Sequence, residues 1–212
     1  MNFFMVKKTL GRACQKGFTL LELMIAVAIL AIIITEAFPS FSDIGDTQRL
    51  VGATEQIYGH IQQTRSESVT GNTPAYIKFD ADGTNSWEYG FSTTGTTCDL
   101  TVSSPLTANA CVTVVDDGDG NVDPGDGTVD TDDLILNHFD STEWNDVKLS
   151  IASFSSGNSQ IEFDPVRGTS TDGEINLESG NGKRLRIEVS LLGRPTICNP
   201  SPTITVSNYA GC

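Results

Sequence analysis

The densest cluster of charged side chains is an aspartate- and glycine-rich stretch at residues 115–134. It contains two copies of the pattern D-G-x-V-D, at residues 119–123 and 126–130, and no basic residue. Carboxylates this close repel one another unless a hard cation binds their oxygens, and Ca²⁺ takes about six to eight oxygen ligands. The stretch therefore predicts Ca²⁺ as a cofactor, with six candidate ligands: Asp117, Asp119, Asp123, Asp126, Asp130 and Asp133.

The second half of this stretch resembles the later part of a dockerin or EF-hand calcium loop. In that resemblance Asp133 is the closing carboxylate, and Leu134-Ile135-Leu136 opens a short helix. The start departs from the pattern, because one register places Val122 at the first ligand and the other places Pro124 at the central glycine. The alternative is a solvated acidic insertion without a fixed metal.

The sequence gives little support for a catalytic function. The sequence has no G-x-S-x-G, H-E-x-x-H or P-loop motif, and its two histidines, His60 and His138, are far apart. Carboxylates on a glycine-rich loop are not a preorganised acid and base. We predict that the chain is not an enzyme.

One carboxylate lies in an unusual place, because Glu22 stands near the start of the apolar run at residues 18–38. At 1.5 Å per residue this run covers about 30 Å, the thickness of the apolar core of a bilayer. A carboxylate there is costly without a cation. The run predicts a single membrane span with a cytoplasmic N-terminus, because four basic residues precede it: Lys7, Lys8, Arg12 and Lys16. A cleaved secretory signal is the alternative, although its apolar run is normally shorter.

The helix pattern continues beyond Pro39, which should bend the helix because proline removes a backbone hydrogen bond. Residues 39–71 show amphipathic spacing, with Phe41, Ile44, Val51, Ile57 and Ile61 on one side. Gly71-Asn72 then supplies a stop. One kinked helix from about residue 18 to about residue 70 is predicted.

Short apolar runs separated by turn residues follow, several of them alternating at period two. They predict a mostly antiparallel β head at residues 72–212, with the acidic insertion at about residues 115–136. The predicted strands are residues 75–79, 87–91, 111–115, 147–151, 160–163, 174–177, 185–191 and 203–206.

The segment Gly17-Phe18-Thr19-Leu20-Leu21-Glu22 resembles the leader of type IV pilins and type II secretion pseudopilins. The resemblance implies an α+β pilin fold, with a long N-terminal α-helix packed against a C-terminal antiparallel β-sheet head. It also implies that residues 1–17 are a leader, removed by a prepilin peptidase that cuts between Gly17 and Phe18 and N-methylates Phe18. In such proteins the glutamate equivalent to Glu22 pairs with the terminal amine of a neighbouring subunit, residues 18–38 form the membrane and filament-core helix, and a proline at the place of Pro39 is common.

Later segments resemble the GspH/FimT subfamily of pseudopilins and minor pilins. They are Gln62-Gln63-Thr64-Arg65-Ser66-Glu67-Ser68, residues 161–168 and 173–175, residues 184–190, and Gly193-Arg194-Pro195-Thr196-Ile197-Cys198. The resemblance implies a low-copy subunit at or near the filament tip. Some members bind DNA through basic residues near the C-terminus, and the candidates here are Arg184, Arg186 and Arg194. The alternative is that these arginines pair with nearby acids such as Glu178 and Glu188.

The net charge disfavours DNA as a partner. The whole chain carries −14, and the loss of four basic residues with the leader leaves 9 basic and 27 acidic residues, a net charge of −18. Such a field repels phosphates unless a local basic patch overrides it.

The cysteines agree with export from the cytoplasm. Cys14 leaves with the leader, and an even number remains, which suggests disulfides. Three connectivities are open, of which we favour the nearest-neighbour pairing, Cys98 with Cys111 and Cys198 with Cys212. A cysteine metal site is the weaker interpretation, because none of the four lies in a C-x-x-C pair.

The sequence thus predicts an assembly subunit of a type IV pilus or a type II secretion pseudopilus. A calcium-dependent adhesin or a DNA-uptake receptor on a pilin stem is the alternative. The expected partners are other pilin subunits, the prepilin peptidase and the inner membrane. We expect the chain in the bacterial inner membrane before assembly, and in a periplasmic or extracellular filament afterwards.

Overall fold

The structure is a computed structural model that describes residues 17–81, 83–115, 134–155 and 157–212, with the backbone alone at residues 36–40 and 152–153. The chain divides into two compact units, Met1–Ser42 and Asp43–Cys212. One helix, α1 (Leu20–Gly71), contributes to both. It agrees with the predicted long helix, and the bend at Pro39 stays a prediction.

The first unit contains the N-terminal half of α1, which begins with a cap that its sequence encodes. The backbone N–H of Glu22 donates to Thr19 Oγ1 at 3.2 Å, and the N–H of Leu23 donates to the Thr19 carbonyl at 3.1 Å. This T-x-x-E arrangement satisfies donors that the first helical turn leaves without partners.

Apolar side chains project from every side of this half of α1. Twelve large ones between Phe18 and Ile34 are exposed, by 44% to 83%. A helix that is apolar all round is normally covered by other protein or by lipid.

Within the described residues we find no helix that combines the length and the apolarity needed to span a bilayer.

The second unit starts with the C-terminal half of α1, which does have one buried face. Leu50, Ala53, Ile57 and Ile61 are completely buried and follow helical spacing. The helix ends where predicted, because Asn72 adopts a positive φ of 49° and the N–H of Thr73 donates to the Ser68 carbonyl at 3.2 Å. This is a Schellman-type cap, in which Asn tolerates the left-handed conformation.

Ten strands follow in the part of the head that the structure describes, and their pairings with one another are antiparallel. The first sheet has the order β5-β2-β1-β7, the second β10-β9-β8-β6, and β3 pairs with β4. The strands are β1 (Ala75–Ala81), β2 (Trp87–Ser92), β3 (Val112–Val114), β4 (Leu134–Leu136), β5 (His138–Asp140), β6 (Lys148–Phe154), β7 (Gln160–Phe163), β8 (Gly173–Glu178), β9 (Arg184–Val189) and β10 (Pro195–Cys198). A helix with antiparallel sheets is the α+β pilin fold that the sequence predicts.

The larger of two hydrophobic clusters in the described residues joins α1 to both four-stranded sheets. Strand β9 shows how the chain builds it, because Leu185, Ile187 and Val189 are buried while the alternate Arg184, Arg186 and Glu188 face outward. This period of two places one face of the second sheet on the core and the other in solvent.

Two sequence-based predictions of secondary structure are wrong. Leu134–Leu136, expected to open a helix, is strand β4, because its backbone pairs with β3. Residues 203–206 form no strand. Instead Val206 is buried and its N–H donates to Asn199 Oδ1 at 2.8 Å, so a side chain supplies the partner that a neighbouring strand would provide. The short edge strands β5 and β10 were not predicted.

Gly90 in β2 provides a test of this packing. A Cβ at Gly90 would lie 2.6 Å from the Asn137 carbonyl oxygen and 2.7 Å from Cys111 Sγ, and a backbone carbonyl cannot easily move. We expect Gly90→Ala to lower the free energy of unfolding by roughly 1–3 kcal/mol, measured by urea denaturation of the detergent-solubilised chain.

Gly59→Ala is the matched control, because nothing lies within 4 Å of the added methyl group and Gly59 is exposed on α1. It should raise the free energy of unfolding by roughly 0.5–1 kcal/mol. Equal effects of the two substitutions would contradict the close approach of Asn137 and Cys111 to Gly90.

Candidate assembly segment and head surface

The predicted processing and assembly residues lie together at the start of α1. Gly17 and Phe18 precede the helix, and Phe18 is 83% exposed. Glu22 is exposed, and its carboxylate makes no ion pair with any residue in the described ranges. The chain therefore presents a carboxylate without a cation on an otherwise apolar part of α1, residues 20–34.

Thr19 is the residue of this segment that the sequence analysis missed. Its hydroxyl accepts from the Glu22 N–H and so fixes the first turn, in which Glu22 is the third helical residue. The signal was present, since threonine followed three residues later by glutamate before an apolar run marks a helix start.

The predicted basic patch lies on the outer face of the second sheet, where acids accompany it. Arg184 Nε lies 2.6 Å from Glu178 Oε2, and Arg186 Nη1 lies 3.0 Å from Glu174 and 3.7 Å from Glu188. Cross-strand register explains the pairing, because Arg184 is opposite Glu178 and Arg186 is diagonal to Glu174. These arginines are therefore largely neutralised.

Arg194 does not join them. It lies in the turn between β9 and β10, next to Pro195, which pairs with Val189 at the far end of β9 from Arg184. Five residues of extended strand separate those ends by roughly 17 Å. The structure therefore does not place Arg194 beside Arg184.

The structure joins Cys98 to Cys111 and Cys198 to Cys212, which is the pairing that the sequence analysis favoured. The first bond lies against β2, beside Gly90. A carboxylate oxygen of Glu188 and the sulfurs of Cys198 and Cys212 lie within 4.8 Å of one another, but sulfurs joined in a disulfide supply no thiolate to a metal. The six candidate calcium ligands, Asp117, Asp119, Asp123, Asp126, Asp130 and Asp133, lie outside the described residues.

The C-terminal loop is organised around Asn199. The Asn199 side chain donates to the carbonyls of Val206 and Tyr209, and the Asn199 carbonyl accepts from the Cys212 N–H. Tyr209 then donates to Glu55 Oε1 of α1 at 2.7 Å. The disulfide, the asparagine and the tyrosine together connect the end of the chain to the head.

The two histidines have structural partners. His60 Nδ1 lies 2.9 Å from the Tyr89 hydroxyl, and burial lowers the pKa of His60. His138 Nε2 lies 3.0 Å from Glu88. The structure does not place them together as ligands of one metal.

Comparison with known families gives two matches. The family described as type II transport protein GspH matches residues 53–193, which is more than half of the chain. The prokaryotic N-terminal methylation motif matches residues 12–35. No curated protein and no solved structure matches the chain.

The Tyr209–Glu55 contact predicts an unusual titration. Burial, together with the hydrogen bond to Glu55, raises the pKa of Tyr209 to about 12. Because this value exceeds the ordinary pKa of 10.0, the contact stabilises the fold below pH 10 and is lost as the pH rises through 12. The absorbance difference at 295 nm between the parent chain and Tyr209→Phe should show this ionisation near pH 12.

In a Glu55→Gln background, the same absorbance difference should show Tyr209 ionising closer to pH 10, because the Glu55 carboxylate no longer opposes formation of the phenolate. Glu67→Gln should leave it unchanged, since Glu67 contacts Gln63 and Thr113 instead. A Tyr209 ionisation near pH 10 in the parent chain would contradict the contact.

Proposed function

The chain belongs to the type II transport protein GspH family and is a type IV pilin-like subunit, and from this premise we propose how it is processed and assembled. Family membership implies cleavage by a prepilin peptidase and assembly with other pilin subunits. The proposed cut lies between Gly17 and Phe18, after which the amine of Phe18 is methylated. The role is structural rather than catalytic.

One observation carries the assembly proposal. Phe18 and the apolar residues that follow it project exposed from α1, and Glu22 is the only charged residue between 18 and 35. Covering this helix with apolar surface buries one carboxylate, which needs a cation. The methylated amine of a neighbouring Phe18 supplies one, so Glu22 sets the register in which subunits pack.

The same helix supports a location. Before assembly we place it in the bacterial inner membrane, with the basic leader in the cytoplasm and the head outside. After assembly it forms the core of a filament, at or near whose tip a low-copy GspH/FimT-type subunit acts. Type IV pili and type II secretion pseudopili share these features of the helix. The assembly genes that the subunit needs in order to enter filaments would identify which of the two machines it joins.

Glu22 provides the direct test. We expect Glu22→Ala and Glu22→Gln to be cleaved and methylated normally but not to enter filaments, because an unpaired amine in an apolar core costs about 3–5 kcal/mol. Intact mass measures processing, and immunoblotting of sheared filament fractions measures incorporation.

Glu67→Gln is the control substitution, since Glu67 lies in the head on α1. It should enter filaments as the parent chain does. Normal incorporation of Glu22→Gln would refute the charge-pairing role, and a chain that retains Gly17 would refute the processing step.

We also propose that the acidic stretch at residues 115–134 binds Ca²⁺. Its two D-G-x-V-D repeats support this, because their carboxylates need a hard cation to offset their repulsion. Calcium would then bind this stretch after export, and a tip subunit would use it in attachment.

Calorimetric titration of the full chain in detergent should give a Kd of roughly 0.1–1 mM, the range of extracellular calcium modules. Asp126→Asn with Asp130→Asn should weaken binding about tenfold or more, while Asp80→Asn, which lies outside the stretch, should not. Equal affinity in the double variant, or no heat of binding in the parent chain, would refute the site.

Uptake of DNA is not favoured by any observation here. Arg184 and Arg186 are ion-paired, Arg194 lies at the opposite end of β9 from Arg184, and the mature chain carries a large negative charge.

A further inference from the structure

Two arginines of the head stand out because they lack the partner that the others have. Arg49, Arg167, Arg184 and Arg186 each lie within 4 Å of a carboxylate oxygen. The side chains of Arg65 and Arg194 make no hydrogen bond or ion pair with the described residues. In a chain with 27 acidic and 13 basic residues, two unpaired guanidinium groups are unexpected.

These two arginines line the same groove. It has a volume of about 660 Å³ and lies between α1 and β10. Ser66 and Thr70 add hydroxyl groups to it, and Val69, which is 49% exposed, adds an apolar surface. The groove therefore offers positive charge, hydrogen-bonding groups and a small apolar wall together.

Arg65 is held at this place by the backbone of the β9–β10 turn. Gly193 adopts φ of 70°, and a Cβ there would lie 2.7 Å from Arg65 Nε and 2.8 Å from the Gly168 carbonyl oxygen. Only glycine leaves room for the arginine to cross the turn. Arg65 Nε is buried and has no hydrogen-bond partner in the described structure, a costly state that calls for an explanation.

We infer that this groove, the Arg65–Arg194 groove, binds a carboxylate-bearing segment of a neighbouring pilin subunit. The guanidinium fork matches the two oxygens of a carboxylate, and such charge-assisted pairs are among the stronger contacts at protein interfaces. Val69 would cover the aliphatic stem of a glutamate or aspartate.

A nucleic acid fits this surface less well than an acidic peptide. Arg194 and Thr196 also line a second hollow, together with Asp172, Glu174 and Glu188. A phosphate chain continuing from Arg194 would meet these acids, whereas a short peptide with one or two carboxylates can end at the arginines. Electrostatic complementarity of this kind chiefly determines partner choice and register.

The inference rests on the proposed role as an assembly subunit, but a binding assay on the unassembled chain tests it separately. Labelled hexaglutamate is the probe, with hexaglutamine and hexadeoxythymidylate for comparison, and fluorescence anisotropy of the full chain in nonionic detergent is the readout. Hexaglutamate should bind more tightly than either comparison probe.

Arg194→Gln and Arg65→Gln should each weaken hexaglutamate binding by about tenfold or more, as expected for the loss of a charge-assisted hydrogen bond. Arg184→Gln, which removes an equal charge from outside the groove, should change it less than about twofold. Arg65 packs against Gly193, so circular dichroism should check that the Arg65→Gln variant folds. If it does not fold, Arg194→Gln decides the result, because Arg194 is exposed.

If Arg184→Gln and Arg194→Gln weaken hexaglutamate binding equally, the probe is attracted to overall charge, and the groove proposal is refuted. Tighter binding of the oligonucleotide, also lost in Arg194→Gln, would overturn the peptide assignment in favour of nucleic acid. If hexaglutamate does not bind while processing and Glu22-dependent assembly hold, the groove proposal alone is refuted.

Discussion

The head depends on the burial of one face of the C-terminal half of α1. Leu50, Ala53, Ile57 and Ile61 have no exposed surface, and they belong to the core that contains the inner faces of both four-stranded sheets. Each small antiparallel sheet has one apolar face that must be covered, and the helix covers both. In the N-terminal half of the same helix the large apolar side chains up to Ile34 are exposed, and a helix segment that is apolar all round is normally covered by lipid or by other protein. The two halves of α1 thus require different surroundings, and the sequence changes from predominantly apolar to amphipathic at about residue 40.

The elements that could be predicted from the sequence are those whose signal is local. The 3.6-residue period and the Gly71-Asn72 stop indicated α1, and period two indicated β9 and its neighbours. Strands β4, β5 and β10 have three or four residues, too few for a clear period of two; β4 and β5 also pair with segments distant in sequence, whereas β10 pairs with β9 across a short turn. Val206 looked like a strand residue for the opposite reason, because its burial follows from the Asn199 side chain rather than from a sheet. A hydrophobic pattern alone does not specify partners of this kind.

The candidate site residues also divide into those that a local motif reveals and those that only the fold reveals. Gly17, Phe18 and Glu22 are adjacent in the chain, so their motif and their chemistry could be interpreted without a fold. The partners of the arginines could not be predicted in this way, because register places Glu178 opposite Arg184 and leaves Arg194 at the other end of β9 from Arg184. Arg65 is the clearest case. Its importance depends on Gly193, which is distant in sequence and adjacent in space.

Charge is the remaining constraint on assembly. Subunits cut at the proposed site after Gly17 would each carry −18 and would repel one another when packed side by side, the more so with every neighbour. Salt screens only the charges that face solvent across more than about 10 Å. Contacts between subunits therefore have to place cations where the chains approach most closely. On a head whose other arginines already have acidic partners, the unpaired guanidinium groups of Arg65 and Arg194 are better suited to this than the ion-paired outer face of the second sheet. An acidic pilin head of this kind should therefore pack by specific cation-to-carboxylate contacts at few points rather than by broad polar surfaces.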